Sequence, residues 1–533
     1  MKIAPHFVFA AVVMCSIAEA EMPAFTSNND HVKLVDINGI PGSLVLAGGG
    51  SLPKEILDTF VELAGGSQAH LVLIPTASIR ADEGTRKELL GNWKHYSPAS
   101  FKILHARSRT RSNERVFTAA IENATGVWIS GGNQGRLAKV YSDTRVAEKL
   151  VELLQRGGVI GGTSAGAAIQ SRVMIAGGKR EPTLMRGIDL LPDSIVDQHF
   201  MTRNRPRRLL LALNRHPRRF GIGIDEQTAA IVKGRTIEVL GKSTVSVLFA
   251  ENTRGETETL LLKTGDRADL TALRRQARQT QEPSFPPTDV SRPSINSGTL
   301  FIVGGGLTKE LALQFINLLP STEELIVVIP TADSDPLPDQ PSDLLRFRDV
   351  GASNVQLLKT RIPMELDNRS TRALLEKASA IWFSGGRQWR LVDLFEGTKA
   401  LTLIRDVLCK QGVIGGSSAG ASIQAQYLVR GDPLGNRNVM AAGYTRGFNF
   451  LPGTAIDQHM LQRDRFGDMI KVIQRYPQLL GIGIDERTAV VIRGSQATVT
   501  GRHQVHFFNA PSGEYQSLSA GQSYELIKRR RIQ

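Results

Sequence analysis

Two short glycine-rich turns place a serine where a nucleophile could act. Gly161-Gly162-Thr163-Ser164-Ala165-Gly166-Ala167 and Gly415-Gly416-Ser417-Ser418-Ala419-Gly420-Ala421 each follow a strand-like apolar run and lead into a helix-like one. Small residues around a sharp strand-to-helix bend leave the side chain exposed and the neighbouring N–H groups free. That is the physical logic of a nucleophile elbow, although the spelling is not G-x-S-x-G. Ser164 and Ser418 are the candidate nucleophiles, with the N–H groups of Ala165 and Ala419 as candidate oxyanion donors. Thr163 and Ser417 offer hydroxyls one step away, and a serine at such a bend can also simply cap a helix. No Lys-Ser/Thr pair closes either loop, as a P-loop would require.

A serine nucleophile needs a base, and histidine supplies one near neutral pH. The chain has ten histidines, and one recurs in Asp197-Gln198-His199 and Asp457-Gln458-His459. A third group must hold the imidazole in the right tautomer. Glu226 and Glu486 each lie 27 residues beyond the histidine and are the candidate orienters. Asp225 and Asp485 beside them are alternatives, and Asp197 and Asp457 could orient the ring or line the pocket. The turns Gly131-Gly132-Asn133-Gln134 and Gly385-Gly386-Arg387-Gln388 follow apolar runs as well. Gly132 and Gly386 are candidates for a second oxyanion donor, Gln134 and Gln388 for substrate contact. Arg203, Arg205, Arg207 and Arg208 follow the first histidine, Arg463 and Arg465 the second. A guanidinium can hold a carboxylate in a bidentate grip. No histidine pair at helical spacing suggests a metal, and no cofactor is expected.

These residues recur because the chain is duplicated. LVLAGGG at 44–50 matches LFIVGGG at 300–306, LVLIPTAS at 71–78 matches IVVIPTAD at 326–333, and GIGIDEQTAAIV at 221–232 matches GIGIDERTAVVI at 481–492. The offset grows from 254 at the serines to 260 at the histidines, a period that means duplicated domains rather than a solenoid. Within each copy, runs such as Leu71–Ile74 and Gly158–Gly161 are apolar throughout. They predict strands covered on both faces, hence an α/β unit with a largely parallel sheet. Alternation at 236–249 and 496–510 predicts antiparallel hairpins finishing each domain. The boundaries expected are 21–265 for the first domain, a Pro/Arg-rich linker at 266–295, and 296–533 for the second.

The 533 residues are 41% hydrophobic and 22% charged, a globular composition that excludes a disordered chain, a collagen or a coiled coil. Residues 1–20 combine Lys2, an apolar stretch and an Ala18-Glu19-Ala20 cleavage site, the pattern of a secretory signal peptide. Cleavage there leaves Cys409 as the lone cysteine, without an intramolecular partner, and keeps the net charge at +14. That charge is scattered and accompanies no nucleic-acid motif, so no nucleic-acid partner is expected. No later stretch is long and apolar enough for a membrane span, and the expected location is secreted or periplasmic.

Taken together, PTAS, GGNQ, GGTSAGA, DQHF and GIGIDE make each half resemble cyanophycinase, in the serine peptidase family S51 that also holds aspartyl dipeptidase (peptidase E). The resemblance covers about 44–250 and 300–510. It implies a three-layer α/β sandwich related to class I glutamine amidotransferases in each copy, with triads Ser164-His199-Glu226 and Ser418-His459-Glu486. It also implies hydrolysis of cyanophycin, a poly-aspartate carrying arginine on its β-carboxyl groups, to β-Asp-Arg dipeptides. Gln134, Asp197, Gln198 and Arg205 match the family's substrate pocket, as do Gln388, Asp457, Gln458 and Arg465. Family enzymes often dimerise, so the fused halves are expected to form an intrachain pseudo-dimer. The second copy departs at Asp333, Arg387, Met460 and Trp389, the last in place of Gly135, changes expected to alter or occlude its pocket. Alternatives are an isoaspartyl or aspartyl exopeptidase of other substrate, an esterase or amidotransferase-like hydrolase, and a polymer-binding protein with one or both sites inactive.

Overall fold

The computed structural model describes residues 37–289, 292–509 and 512–532. The expected signal peptide lies outside them. Each copy is α/β and built around a large sheet. In the first copy the strands Ile40–Ala47, Val159–Thr163, Gly126–Ile129, His70–Ile74 and Ser100–Ile103 run parallel in that order, as the apolar runs predict. The antiparallel strands Thr228–Gly234, Thr236–Gly241 and Arg267–Asp269 extend the sheet from Ile40–Ala47. Side chains alternate along a strand, so Leu44 and Leu46 enter one buried cluster and Val45 and Ala47 another. The first cluster is closed by the helix Arg145–Gln155, the second by Lys54–Leu63 through Ile56, Leu57 and Phe60. The second copy repeats this around Thr299–Val303, with Leu300 and Ile302 on one face and Phe301 and Val303 on the other.

A smaller sheet stands beside each large one. It pairs Ser194–Gln198 in parallel with Phe220–Ile224 in the first copy, and Leu451–Gln458 with Leu480–Ile484 in the second. The expected terminal hairpins are not formed. Thr236–Gly241 pairs with Thr228–Gly234 across a turn at Gly234, whereas Thr244–Phe249 joins the smaller sheet beside Phe220–Ile224. Gln496–Gly501 and Gln504–Phe508 part in the same way. Gly241, at φ +122°, turns the chain from one sheet to the other, and the Ser243 hydroxyl fixes the crossing by donating to Asp225. Alternation identifies strands but not their partners.

The segment 266–295 is not a plain linker. It opens with the strand Arg267–Asp269 and the helix Leu270–Gln279, whose first turn is capped by the Asp269 side chain. Leu273, Arg274, Arg275 and Ala277 are all buried, and so basic a stretch folds because its guanidinium groups are paired, Arg274 with Asp193 and Arg275 with Glu396. Beyond the helix, Phe285 stacks on Tyr427 of the second copy.

Non-equivalent faces join the two copies. Arg235 of the first copy donates to Asp393 (2.9 Å) and to the Tyr444 hydroxyl (2.8 Å), and its guanidinium lies 4.3 Å from the centre of the Trp389 ring. Arg275 pairs with Glu396 and donates to the Gly443 carbonyl. The counterparts of Arg235, Trp389 and Asp393 by sequence are Ser495, Gly135 and Lys139. Lys139 is exposed where Asp393 is buried, so the face that the second copy turns to this joint is open in the first, and the joint among the described residues is head-to-tail rather than the self-complementary pairing of a twofold pseudo-dimer. Trp389 serves this joint, which accounts for the loss of glycine there without any closing of the second pocket.

Candidate active site

Three strands end together in each copy, and each ending carries one member of the site. Ser164 follows Val159–Thr163, His199 follows Ser194–Gln198, and Glu226 comes two residues after Phe220–Ile224. The carboxyl ends of parallel strands are where α/β sheets place their ligands. Ser164 sits at φ +52° and ψ −111° and Ser418 at +55° and −110°, a region that costs a non-glycine residue about 1–3 kcal/mol. His199 and His459 are also left-handed, at +49° and +53°. Strain at the same residues of two diverged copies marks a geometry that the surrounding packing enforces.

The Ser164 hydroxyl donates to His199 Nε2 at 2.9 Å, and His199 Nδ1 donates to Glu226 Oε1 at 2.5 Å. In the second copy the distances are 2.8 Å from Ser418 to His459 and 2.6 Å from His459 to Glu486. Glu226 and Glu486, rather than the adjacent aspartates, reach the rings. Asp225 instead accepts from the Thr202 N–H, the Thr202 hydroxyl and the Ser243 hydroxyl, holding the loop that carries His199. Asp485 binds the Leu461 N–H, the Gln504 N–H and His506. Burial lowers both histidine pKa values despite the opposing glutamates, and the charges of Arg203 and Arg205, or of Arg463 and Arg465, push the same way. Each imidazole is thus kept neutral, the form that accepts a proton from serine.

Two glycines that sequence reasoning left without a role close over the imidazoles. A Cβ at Gly49 would lie 2.3 Å from the His199 ring, and one at Gly305 2.4 Å from that of His459. Their neighbours Gly48 and Gly304 accept from the histidine N–H groups at 2.9 Å. The glycine triplet after a buried strand in both copies is the signal for this close approach.

Of the oxyanion candidates, Ala165 and Ala419 follow the serines directly and begin short helices, whose first N–H groups have no partner within the helix. The Gly131-Gly132 and Gly385-Gly386 turns abut the nucleophiles, since a Cβ on Gly131 would lie 3.3 Å from Ser164 Cβ and one on Gly385 3.4 Å from Ser418 Cβ. A Cβ on Gly132 or Gly386 would collide with the Ala77 or Ala332 carbonyl oxygen, so each of these positions requires glycine.

The expected substrate residues form a bonded floor beneath this site. Gln134 and Gln388 are buried and donate to the Ile175 and Val429 carbonyls. Arg205 reaches Gln198 through both its carbonyl and its side-chain oxygen, and Arg465 does the same to Gln458. Asp197 and Asp457, at 1% and 0% exposure, offer a substrate no free carboxylate. Asp197 is gripped by Arg208 at 2.5 and 2.7 Å, from the helix Pro206–Arg215. In the second copy the matching helix position is Asp468, and Arg430 grips Asp457 from a separate loop while also donating to Asp468 at 2.8 Å. Arg430 holds a left-handed backbone at φ +58°, where the first copy has Ala176. Sequence reading could not find Arg430, because no motif predicts an arginine that replaces another from elsewhere in the chain.

Among the described residues, no cluster of three or more His, Cys, Asp or Glu could hold a metal, and no helix is long and apolar enough to cross a membrane. The cyanophycinase of Geminocystis herdmanii is 39% identical over 204 residues, 37% of this chain and 75% of that protein. The cyanophycinase of Trichormus variabilis is 40% identical over 205 residues, 37% of this chain and 68% of that protein. Among solved structures, a peptidase from an acI-B1 Actinobacterium aligns at a TM-score of 0.37 with 24% identity, covering 44% of this chain and 98% of that one. The sequence model described as Peptidase family S51 matches residues 44–240 and again residues 300–500, one match for each copy, and the chain therefore belongs to that family of serine-type peptidases.

Proposed function

We propose that this chain hydrolyses cyanophycin to β-Asp-Arg dipeptides, outside the cytoplasm, through a Ser-His-Glu triad in each copy. The observation that carries this reading is the hydrogen-bonded Ser-His-Glu chain, present in both halves with strained serines and neutral histidines. The relatives named cyanophycinase support the substrate, and the pattern in residues 1–20 supports export.

In this mechanism Ser164 Oγ attacks the scissile carbonyl while His199 takes its proton, and Glu226 stabilises the resulting imidazolium. The N–H groups of the elbow and of the facing glycine turn receive the oxyanion. His199 then protonates the leaving amine, and water repeats the sequence on the acyl-enzyme. Ser418, His459 and Glu486 act likewise in the second copy.

The test compares the intact protein with Ser164→Ala, Ser418→Ala and the double variant on insoluble cyanophycin, following dipeptide release. Each single change removes one site's share. The double change lowers the rate by about 10³-fold or more, since loss of a triad member leaves only residual catalysis. A folded intact protein that releases no dipeptide ends the cyanophycin reading, and isoaspartyl dipeptides become the next substrates to assay.

A further inference from the structure

The two triads are alike, but the aspartate that precedes the orienting glutamate is held differently in each copy. Asp225 accepts from the hydroxyls of Thr202, at 2.7 Å, and Ser243, at 2.9 Å. Counted from the histidine and from the aspartate, these positions are Gln462 and His503 in the second copy. Gln462 turns away, and its side-chain oxygen accepts from the Glu486 N–H at 2.9 Å. His503 is exposed. Both hydroxyls are therefore lost beside Asp485, which is only 1% exposed. A buried acceptor deprived of its donors is costly.

The replacement comes from the strand Gln504–Phe508. His506 stands opposite Gly483 there, the register that Ser246 holds opposite Gly223 in the first copy. Its Nε2–H donates to Asp485 Oδ1 at 3.2 Å, and its Nδ1 pairs with the Ser517 hydroxyl at 2.8 Å. The residue is 4% exposed. Its ring packs edge-on against Phe466 and Tyr515, with centroids 4.8 and 5.8 Å away. Burial acts to raise the Asp485 pKa, but the His506 hydrogen bond and the Leu461 N–H outweigh it and hold that pKa below its ordinary value.

We infer that His506 is a positioning residue of the second copy, replacing two hydroxyls of the first and fixing His459 against Glu486 through Asp485. Asp485 bears on both sides of that contact. Its carboxylate takes the Leu461 N–H, two residues beyond His459, and its backbone runs directly into Glu486. His459 is left-handed at φ +53°, so the turn that carries it must be held by its surroundings. A donor locked by packing on both faces of its ring does this better than a free rotor, because a site is only as precise as the groups that support it. The inference rests on the triad reading proposed above, and it makes the second site depend on a residue that the first does not have.

The test reads the second site alone, in full-length Ser164→Ala protein. His506→Phe keeps the ring and removes the donor, and kcat is expected to fall about tenfold with KM held within about twofold. His506→Gln donates from nearly the same place and should keep kcat within about twofold of the parent. Adding His503→Ser to His506→Phe returns the first copy's hydroxyl and should recover most of the loss, which a residue that only filled space would not allow. His506→Ser, the first copy's residue, is expected to behave as His506→Phe does, so the result does not hang on one variant folding. A second readout needs no substrate. The downfield Nδ1 proton resonance of His459, identified by its loss in Glu486→Gln, should shift in His506→Phe and return in His506→Gln. An unchanged kcat and resonance in His506→Phe, or equal losses in the Phe and Gln variants, would overturn the inference. A parent protein that releases no dipeptide from cyanophycin refutes the substrate reading, and the resonance then decides the positioning role by itself.

Discussion

The two copies keep the same guanidinium in the same place and take it from different parts of the chain. Beneath His199, Asp197 is paired with Arg208 of the following helix; beneath His459, Asp457 is paired with Arg430 of a loop, and the helix position has become Asp468. Both carboxylates have side chains 1% exposed. A buried carboxylate without a cation is costly enough that losing the arginine at one position requires gaining it at another. The difference teaches that the conserved object is a charge at a point under the histidine-bearing strand, not a residue in a motif.

The triads should be the most sensitive point of likeness. In a Ser418→Ala background, Glu226→Gln leaves the first imidazole without its carboxylate, and kcat should fall by about 10³–10⁴-fold. Glu486→Gln in a Ser164→Ala background should cost as much, and a much smaller loss there would show that only the first copy depends on its triad. The arginine exchange comes next. Arg208→Met should destabilise the fold by about 3 kcal/mol in urea unfolding, because Asp197 keeps only the 3.5 Å contact with Arg205, and Arg430→Met should cost less, because Arg465 still donates to Asp457 at 3.0 Å. Ala176→Arg combined with Arg208→Asp transplants the second arrangement into the first copy, and the pair should show a favourable coupling of about 2 kcal/mol. Strict additivity would refute the idea that one guanidinium replaces the other.

A smaller effect is expected at the joint, where Arg235 and Arg275 retain Asp269 and Glu396 if Asp393 is lost. Asp393→Ala should cost about 3 kcal/mol, and Lys139→Ala at the equivalent place in the first copy should cost nothing measurable. The smallest effect is on the pH profile. The histidine pKa values lie below the ordinary 6.5 in both copies, so each imidazole stays neutral below that pH and the acid limb of kcat/KM should fall there. Arg203→Ala removes a positive neighbour and should move the first copy's limb upward, leaving that of the second unmoved. A limb above pH 6.5 in the intact protein would contradict the burial argument.

Much of this was legible in the residues. The uninterrupted apolar runs locate the parallel strands, and the repeat at constant motif order locates both triads, because a strand end followed by a serine, a histidine or a glutamate is a local pattern. Pairing is not local. Nothing in 236–249 says that its two strands separate at Gly241 into different sheets, since alternation reports a half-buried surface without naming the neighbour. Composition misled at 266–295 for the complementary reason: arginine-rich sequence reads as solvated until the carboxylates that bury it, Asp193, Asp393 and Glu396, are brought near by the fold. Trp389 was legible as a departure, but its partner Arg235 lies 154 residues away.

The head-to-tail joint has a consequence for how the halves can change. A twofold assembly of identical subunits receives every substitution twice, once on each side of its axis, so a useful change at one site is imposed on the other. Here Arg235, Trp389 and Asp393 each occur once at the joint, and neither half uses for it the surface that the other uses. Each reaction centre can drift toward its own substrate without disturbing its neighbour or the contact between them. Because both sit on one polypeptide, their ratio stays at one to one at any dilution.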